Sequence, residues 1–192
     1  MYSKNKQISI LLKTIEELSS EKDHLIVALD GRCASGKTTL AAYLKESMGC
    51  NIIPMDHFFL QPHMRTPQRL SQPGGNVDYE RFFTEILLPL KKGAKFTYQP
   101  YNCKKQSLDT TIEVTPAAIT IIEGSYSCHP YLRNSYDLKV FLSTPADEQK
   151  RRITERNGEN GWEMFRKRWI PLEELYFSNL EIDKQCDIRI TT

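Results

Sequence analysis

The stretch Gly31-Arg32-Cys33-Ala34-Ser35-Gly36-Lys37-Thr38 constrains this chain more than any other. It fits G-x-x-x-x-G-K-[ST] and lies between the apolar run at residues 25–29 and a helical pattern at Leu40, Tyr43, Leu44 and Met48. A strand, a glycine-rich loop and a helix in that order make a phosphate cradle. Glycine lets backbone N–H groups curl around phosphate oxygens, a lysine faces the transferring phosphates, and a threonine hydroxyl at the helix start holds magnesium. Gly31, Ala34, Ser35, Gly36, Lys37, Thr38 and Thr39 are therefore expected to bind ATP, with Lys37 also catalytic and Thr38 a ligand to Mg2+. A guanine site would need Asn-Lys-x-Asp, which the chain lacks, and a dinucleotide site would need glycine where Cys33 stands.

Short, continuously apolar runs at residues 25–29, 52–55, 117–122, 138–142 and 188–190 read as strands buried on both faces. Helical spacing separates them, at Phe82, Phe83, Ile86, Leu87 and Leu90 and in the stretches after Pro145 and Gly161. Ahead of the first strand, Ile8, Leu11, Leu12, Ile15 and Leu18 predict an amphipathic helix over residues 7–19. This alternation implies an α/β fold, a five-stranded parallel sheet flanked by helices, in one domain spanning 1–192. Residues 62–75 hold Pro62, Pro67, Pro73, Gly74 and Gly75, which predicts a long surface excursion. Alternating Phe96, Tyr98, Ile112 and Val114 among turn residues predict an inserted β-hairpin over 95–116 that walls an acceptor site.

Open α/β sheets bind ligands beyond the carboxyl ends of their strands. Asp56 and Glu123 each follow a predicted strand, so both should reach Lys37 and Thr38. Asp56 is read as the catalytic base for an acceptor hydroxyl and Glu123 as the metal-side ligand; both are counted as Mg2+ ligands and as contacts to the acceptor. Residues 150–170 read as a helical lid hinged near Asn157-Gly158 and Gly161, with Arg152 and Arg156 one turn apart and assigned to the phosphates as catalytic residues. Other charges there form i,i+4 pairs, Glu148 with Arg152 and Glu163 with Lys167, as a solvated face does. Phe58 and Tyr101 are expected to contact a planar acceptor, whereas His57, His63 and His129 share no metal-ligand spacing.

A net charge of +2 over 192 residues is too mild for a nucleic-acid face. No apolar run is long enough for a bilayer, and the first residues lack the order of a signal peptide. The expectation is a cytoplasmic protein whose partner is a small molecule, with neither nucleic acid nor membrane; a homo-oligomer is compatible with it. Five scattered cysteines without a Cys-x-x-Cys pair read as reduced thiols.

Taken in order, these motifs resemble the uridine kinase and phosphoribulokinase group of P-loop kinases, from about residue 24 to residue 190. Asp56-His57-Phe58-Phe59 is similar to the group's Asp-x-Phe-Tyr segment with the catalytic base, Asn76-Val77-Asp78 to its Asn-x-Asp before a helix, and Pro100-Tyr101-Asn102 to its Pro-x-Tyr-Asp acceptor segment. Ile122-Glu123-Gly124 resembles its acidic strand end, Arg152 and Arg156 its lid arginines, and Pro171-Leu172-Glu173-Glu174 with Cys186-Asp187-Ile188 its closing elements. The resemblance implies a P-loop nucleoside triphosphate hydrolase fold of the nucleoside/nucleotide kinase kind. It also implies transfer of the γ-phosphate of ATP to a hydroxyl of a nucleoside or similar molecule. Uridine kinases carry a histidine after the Tyr-Asp pair that reads the pyrimidine; Asn102-Cys103-Lys104-Lys105-Gln106 contains none, Phe59 replaces a tyrosine, and the lid is shorter. Two other readings stand beside this one: an ATP-binding regulator without phosphotransfer, and an ATPase acting on nucleic acid through the basic lid cluster.

Overall fold

A computed structural model of the chain describes residues 2–192. Its elements run α1 (Tyr2–Glu21), β1 (Leu25–Gly31), α2 (Lys37–Met48), β2 (Asn51–Pro54), α3 (Pro67–Leu70), α4 (Tyr79–Phe82), α5 (Leu88–Lys91), β3 (Phe96–Tyr98), β4 (Tyr101–Asn102), β5 (Ser107–Leu108), β6 (Ile112–Val114), β7 (Ile119–Glu123), β8 (Leu138–Ser143), α6 (Ala146–Met164), α7 (Ile170–Asn179) and β9 (Ile188–Thr191). The main sheet has five strands in the order β2-β7-β1-β8-β9, and every pairing in it is parallel.

The apolar runs form strands because the sheet is covered on both faces, so consecutive residues are all buried. In β1, Ile26 and Ala28 enter one core with Phe58, Phe82 and Tyr176, while Leu25, Val27 and Leu29 enter the other with Leu11, Ile15 and Leu44. The period-2 alternation of the strand thus divides one apolar run between two layers. Leu11 and Ile15 of α1 are fully buried, and the helix extends beyond the predicted 7–19 at both ends. Helix α2 stops where Gly49 adopts a left-handed φ of 66° and its N–H reaches the Lys45 carbonyl.

Two boundaries shift toward the site. Strand β2 ends at Pro54, and Met55–Phe58 form a 3-10 turn, so Asp56 sits on that turn. Glu123 is the last residue of β7 and pairs in register with Leu29. The inserted region forms two short antiparallel ladders, β3 with β6 and β4 with β5. Within α6 only Gly158 breaks the helix, at φ 70° and ψ 177°. Gly161, expected as a second hinge, lies within the helix after it, with the Asn157 Cβ filling the space its own side chain would need.

Candidate active site

β1 stands at the centre of the sheet, so its carboxyl end delivers the phosphate loop between two unlike flanks. Gly31 has φ 134°, and a Cβ there would lie 1.9 Å from the Leu142 carbonyl oxygen on β8. Only glycine permits both the dihedral and the approach. Ala34 and Gly36 take left-handed φ values of 59° and 91°, which fold the loop around a concavity ahead of α2. There the first-turn N–H groups have no partner inside the helix. Lys37 curls back, donating to the carbonyls of Gly31 at 2.6 Å and Arg32 at 2.8 Å. Ser35 is fully buried on the cavity wall, and its hydroxyl has no hydrogen-bond partner among the described residues.

The loop opens onto a cavity of about 700 Å3. Its β2 and β7 flank carries the carboxylates. The Thr38 hydroxyl faces both oxygens of Glu123, at 3.4 and 3.3 Å. Burial, and then the neighbouring charge of Asp56, push the Glu123 carboxyl above its usual range. Asp56 lines the cavity and is exposed, yet the protein around it raises its carboxyl, against the opposing charges of Lys37, His57 and Arg156. The β8 and β9 flank is apolar instead, with Ile8, Tyr43, Leu142 and Ile190 along the wall.

Arg152 and Arg156 of α6 arrive differently. Arg152 is half-buried and held in place, donating to Glu148 at 2.7 Å, to the Ala34 carbonyl at 3.0 Å and to the Thr192 hydroxyl at 2.9 Å. Arg156 is exposed on the same cavity, bonded to Asn157 and lying over the Phe165 ring. Thr39 also lines the cavity. The structure therefore brings together Ala34, Ser35, Gly36, Lys37, Thr38, Thr39, Asp56, Glu123, Arg152 and Arg156, with Gly31 beneath the loop.

Phe58 and Tyr101 do not reach this cavity. Phe58 is fully buried, stacked on Tyr98 and edge-on to Phe82, with the Arg81 guanidinium 4.2 Å above its ring. Tyr101 is buried as well and accepts a 2.7 Å bond from Arg65. The aromatic wall is formed by Phe59 and Trp169, whose rings are 6.0 Å apart. Phe58 ends the 3-10 turn and Phe59 follows it in extended conformation, so which of the two rings faces the cavity is set by where that turn stops. Tyr126, Phe165 and Glu173 of the lining were also missed. Of these only Glu173 stood in a quoted motif.

Known proteins bear on this arrangement. No protein-family model matches the chain. The uridine kinase of Ureaplasma urealyticum serovar 10 is 30% identical over 140 residues, 66% of each chain. That of Shewanella halifaxensis is 27% identical over 143 residues, 67% of this chain and 66% of its own. Over about two thirds of its length the chain is similar in sequence to uridine kinases. It spans 66% of the length of the Ureaplasma urealyticum relative. The fold extends further than the sequence match: a possible uridine kinase from Bacillus stearothermophilus superposes with a TM-score of 0.74 at 21% identity, covering 97% of this chain and 98% of that one. A D-glycerate 3-kinase from Cryptococcus neoformans superposes at 0.61 and 17% identity, covering 89% and 87%. These two fold neighbours carry different acceptors in their names.

Proposed function

We propose that the chain is an ATP-dependent kinase that transfers the γ-phosphoryl group to a hydroxyl of a small molecule, a nucleoside or a compound of similar size. The observation that supports this most is the meeting of Lys37, Asp56 and the Thr38–Glu123 pair on one cavity. A protein that only senses nucleotide has no use for a second carboxylate opposite the cradle. The cradle suits an anion, since the buried Ser35 hydroxyl on its wall has no hydrogen-bond partner among the described residues. Magnesium is usually held through one or two carboxylates together with substrate phosphates, and Thr38, Glu123 and Asp56 form a set of that size.

Magnesium ATP, once bound, supplies the phosphoryl group and the charge that neutralises it. Asp56 takes the acceptor's hydroxyl proton onto a carboxylate whose raised pKa suits a base working near neutral pH. Lys37 leaves the carbonyls of Gly31 and Arg32 for the transferring phosphate, joined by the guanidinium groups of Arg152 and Arg156. Phe59 and Trp169 give the acceptor a flat apolar wall and keep water out, and the apolar β8 and β9 flank suits a purine base. Arg166 and Lys167, by contrast, are exposed and paired with Glu163, as a solvated face would be.

The test is ADP release from magnesium ATP across nucleosides, sugars, vitamins and other small alcohols. Acceptor-dependent release with a phosphorylated product in the mass spectrum is expected for at least one uncharged hydroxyl compound. Nucleotide binding without any such product across the panel would refute the kinase reading in favour of a regulator.

A further inference from the structure

Both backbone polar groups of Cys33, in the phosphate loop, are held by buried side chains from α6 and α7. Its N–H donates to Glu173 Oε2 at 2.9 Å, and its carbonyl accepts from Gln149 Nε2 at 3.0 Å. Gln149 lies on α6 and Glu173 on α7, on opposite sides of the break at Gly158, and each is 5% exposed. The neighbours are held too. Arg32 makes a two-point bond to Glu174 at 2.7 and 2.9 Å, and the Ala34 carbonyl accepts from Arg152. Three consecutive loop residues are thus fastened to α6 and α7.

We propose, resting on the nucleotide site above, that Glu173 and Gln149 are positioning residues that set the entry half of the phosphate loop before ATP arrives. The need for them lies in Ala34. A non-glycine residue in the left-handed region, here at φ 59°, persists only where its surroundings over-determine it. The bonds on either side supply that constraint. A loop already ordered also spares the incoming nucleotide the cost of ordering it. Glu173 needs two acceptor oxygens for this task, since its Oε1 takes the Ser125 hydroxyl at 2.7 Å while Oε2 holds Cys33. A carboxamide would satisfy both neighbours, accepting from the Cys33 N–H and donating to the Ser125 oxygen. The role is therefore one of shape, and the negative charge is dispensable beside a triphosphate.

The experiment measures magnesium ATP binding by calorimetry on the full chain, with thermal melts and hydrogen exchange at the Cys33 amide. Glu173→Ala should weaken ATP by about tenfold, the worth of one hydrogen bond to a charged group, and should speed exchange at Cys33 while leaving the Val27 amide protected. Glu173→Gln should bind within about threefold of the parent, or tighter, and Gln149→Leu should lose about threefold for one neutral bond. Binding by Glu173→Ala within twofold of the parent overturns the proposal. So does Glu173→Gln binding as weakly as the alanine variant, because charge alone would then explain the loss. Should Glu173→Ala fail to fold, Gln149→Leu decides, and an unchanged affinity there overturns it. If the parent does not bind magnesium ATP, the nucleotide reading fails, and the proposal falls with it unless Glu173→Ala still accelerates exchange at Cys33.

Discussion

Replacing Tyr176 with phenylalanine removes one hydroxyl from the support beneath the phosphate loop. Asp30 is fully buried, and every acceptor position of its carboxylate is taken. Oδ1 accepts from the N–H groups of Gly31 at 2.6 Å and Tyr126 at 3.1 Å, and Oδ2 from the Cys128 N–H at 2.8 Å and the Tyr176 hydroxyl at 2.8 Å. Burial outweighs these four donors and lifts the carboxyl from 3.8 to about 6. Tyr176→Phe leaves one acceptor position of this buried group empty. That costs about 2 kcal/mol, as for a hydrogen bond to a charged partner, and lowers the melting temperature by roughly 4–8 °C in a chain of this size. The loss should depend on pH. Since the folded value lies above the unfolded one, the contribution of Asp30 to stability is complete below 3.8 and gone once the pH has risen through about 6. The phenol bonds the ionised form more strongly, so the variant should lose more near pH 8 than near pH 5. Urea titrations at both values, with an unchanged slope, measure the difference. A loss under about 0.5 kcal/mol near pH 8, well below the range for charged partners, or a larger loss near pH 5, would refute the reasoning.

Lys37→Ala should abolish transfer and weaken ATP binding, because the developing phosphate charge loses its cation; unchanged turnover would remove the loop from the chemistry. Asp56→Asn should cut acceptor-dependent ADP release by roughly 100-fold or more with far less effect on ATP affinity, and equal release by both proteins would rule out a base at this position. Because burial raises the Asp56 carboxyl and a base must be ionised, kcat/KM should fall as the pH drops through a value above the ordinary carboxylate pKa. An acid limb at or below about pH 4, the ordinary position, would contradict that environment. Gly31→Ala would place a Cβ 1.9 Å from the Leu142 carbonyl oxygen at φ 134°, so melting and ATP binding should both collapse; a variant with normal melting would show that the loop does not pack against β8 in this way.

The α/β layering was legible in the residue order because each strand is buried on both faces and each helix on one, which writes two different periods into the chain. The phosphate loop was legible for a similar reason: its strand, glycines, lysine and helix are contiguous, so the motif carries its own context. The rule that ligands gather at the carboxyl ends of strands pointed to Asp56 and Glu123, and both line the cavity, Asp56 from a 3-10 turn and Glu123 from the end of β7. Gly158 and Gly161 looked alike as hinges, and only the φ of 70° at Gly158 separates them.

What the order of residues determined, then, was local: elements, their buried faces, and a phosphate loop whose donors come from its own backbone. The tertiary structure alone decided which residues far apart in the chain complete that loop. Glu173 and Gln149 lie 140 and 116 residues from the Cys33 groups they hold, and Asp30 is joined to Tyr176 across 146. The same holds for Phe59 and Trp169, which form the aromatic wall, while Phe58 turns into the core. A hydrogen bond or a ring contact acts over a few ångströms whatever the separation in sequence, so these partnerships leave no periodic trace and exist only once the sheet order has brought the strand ends together.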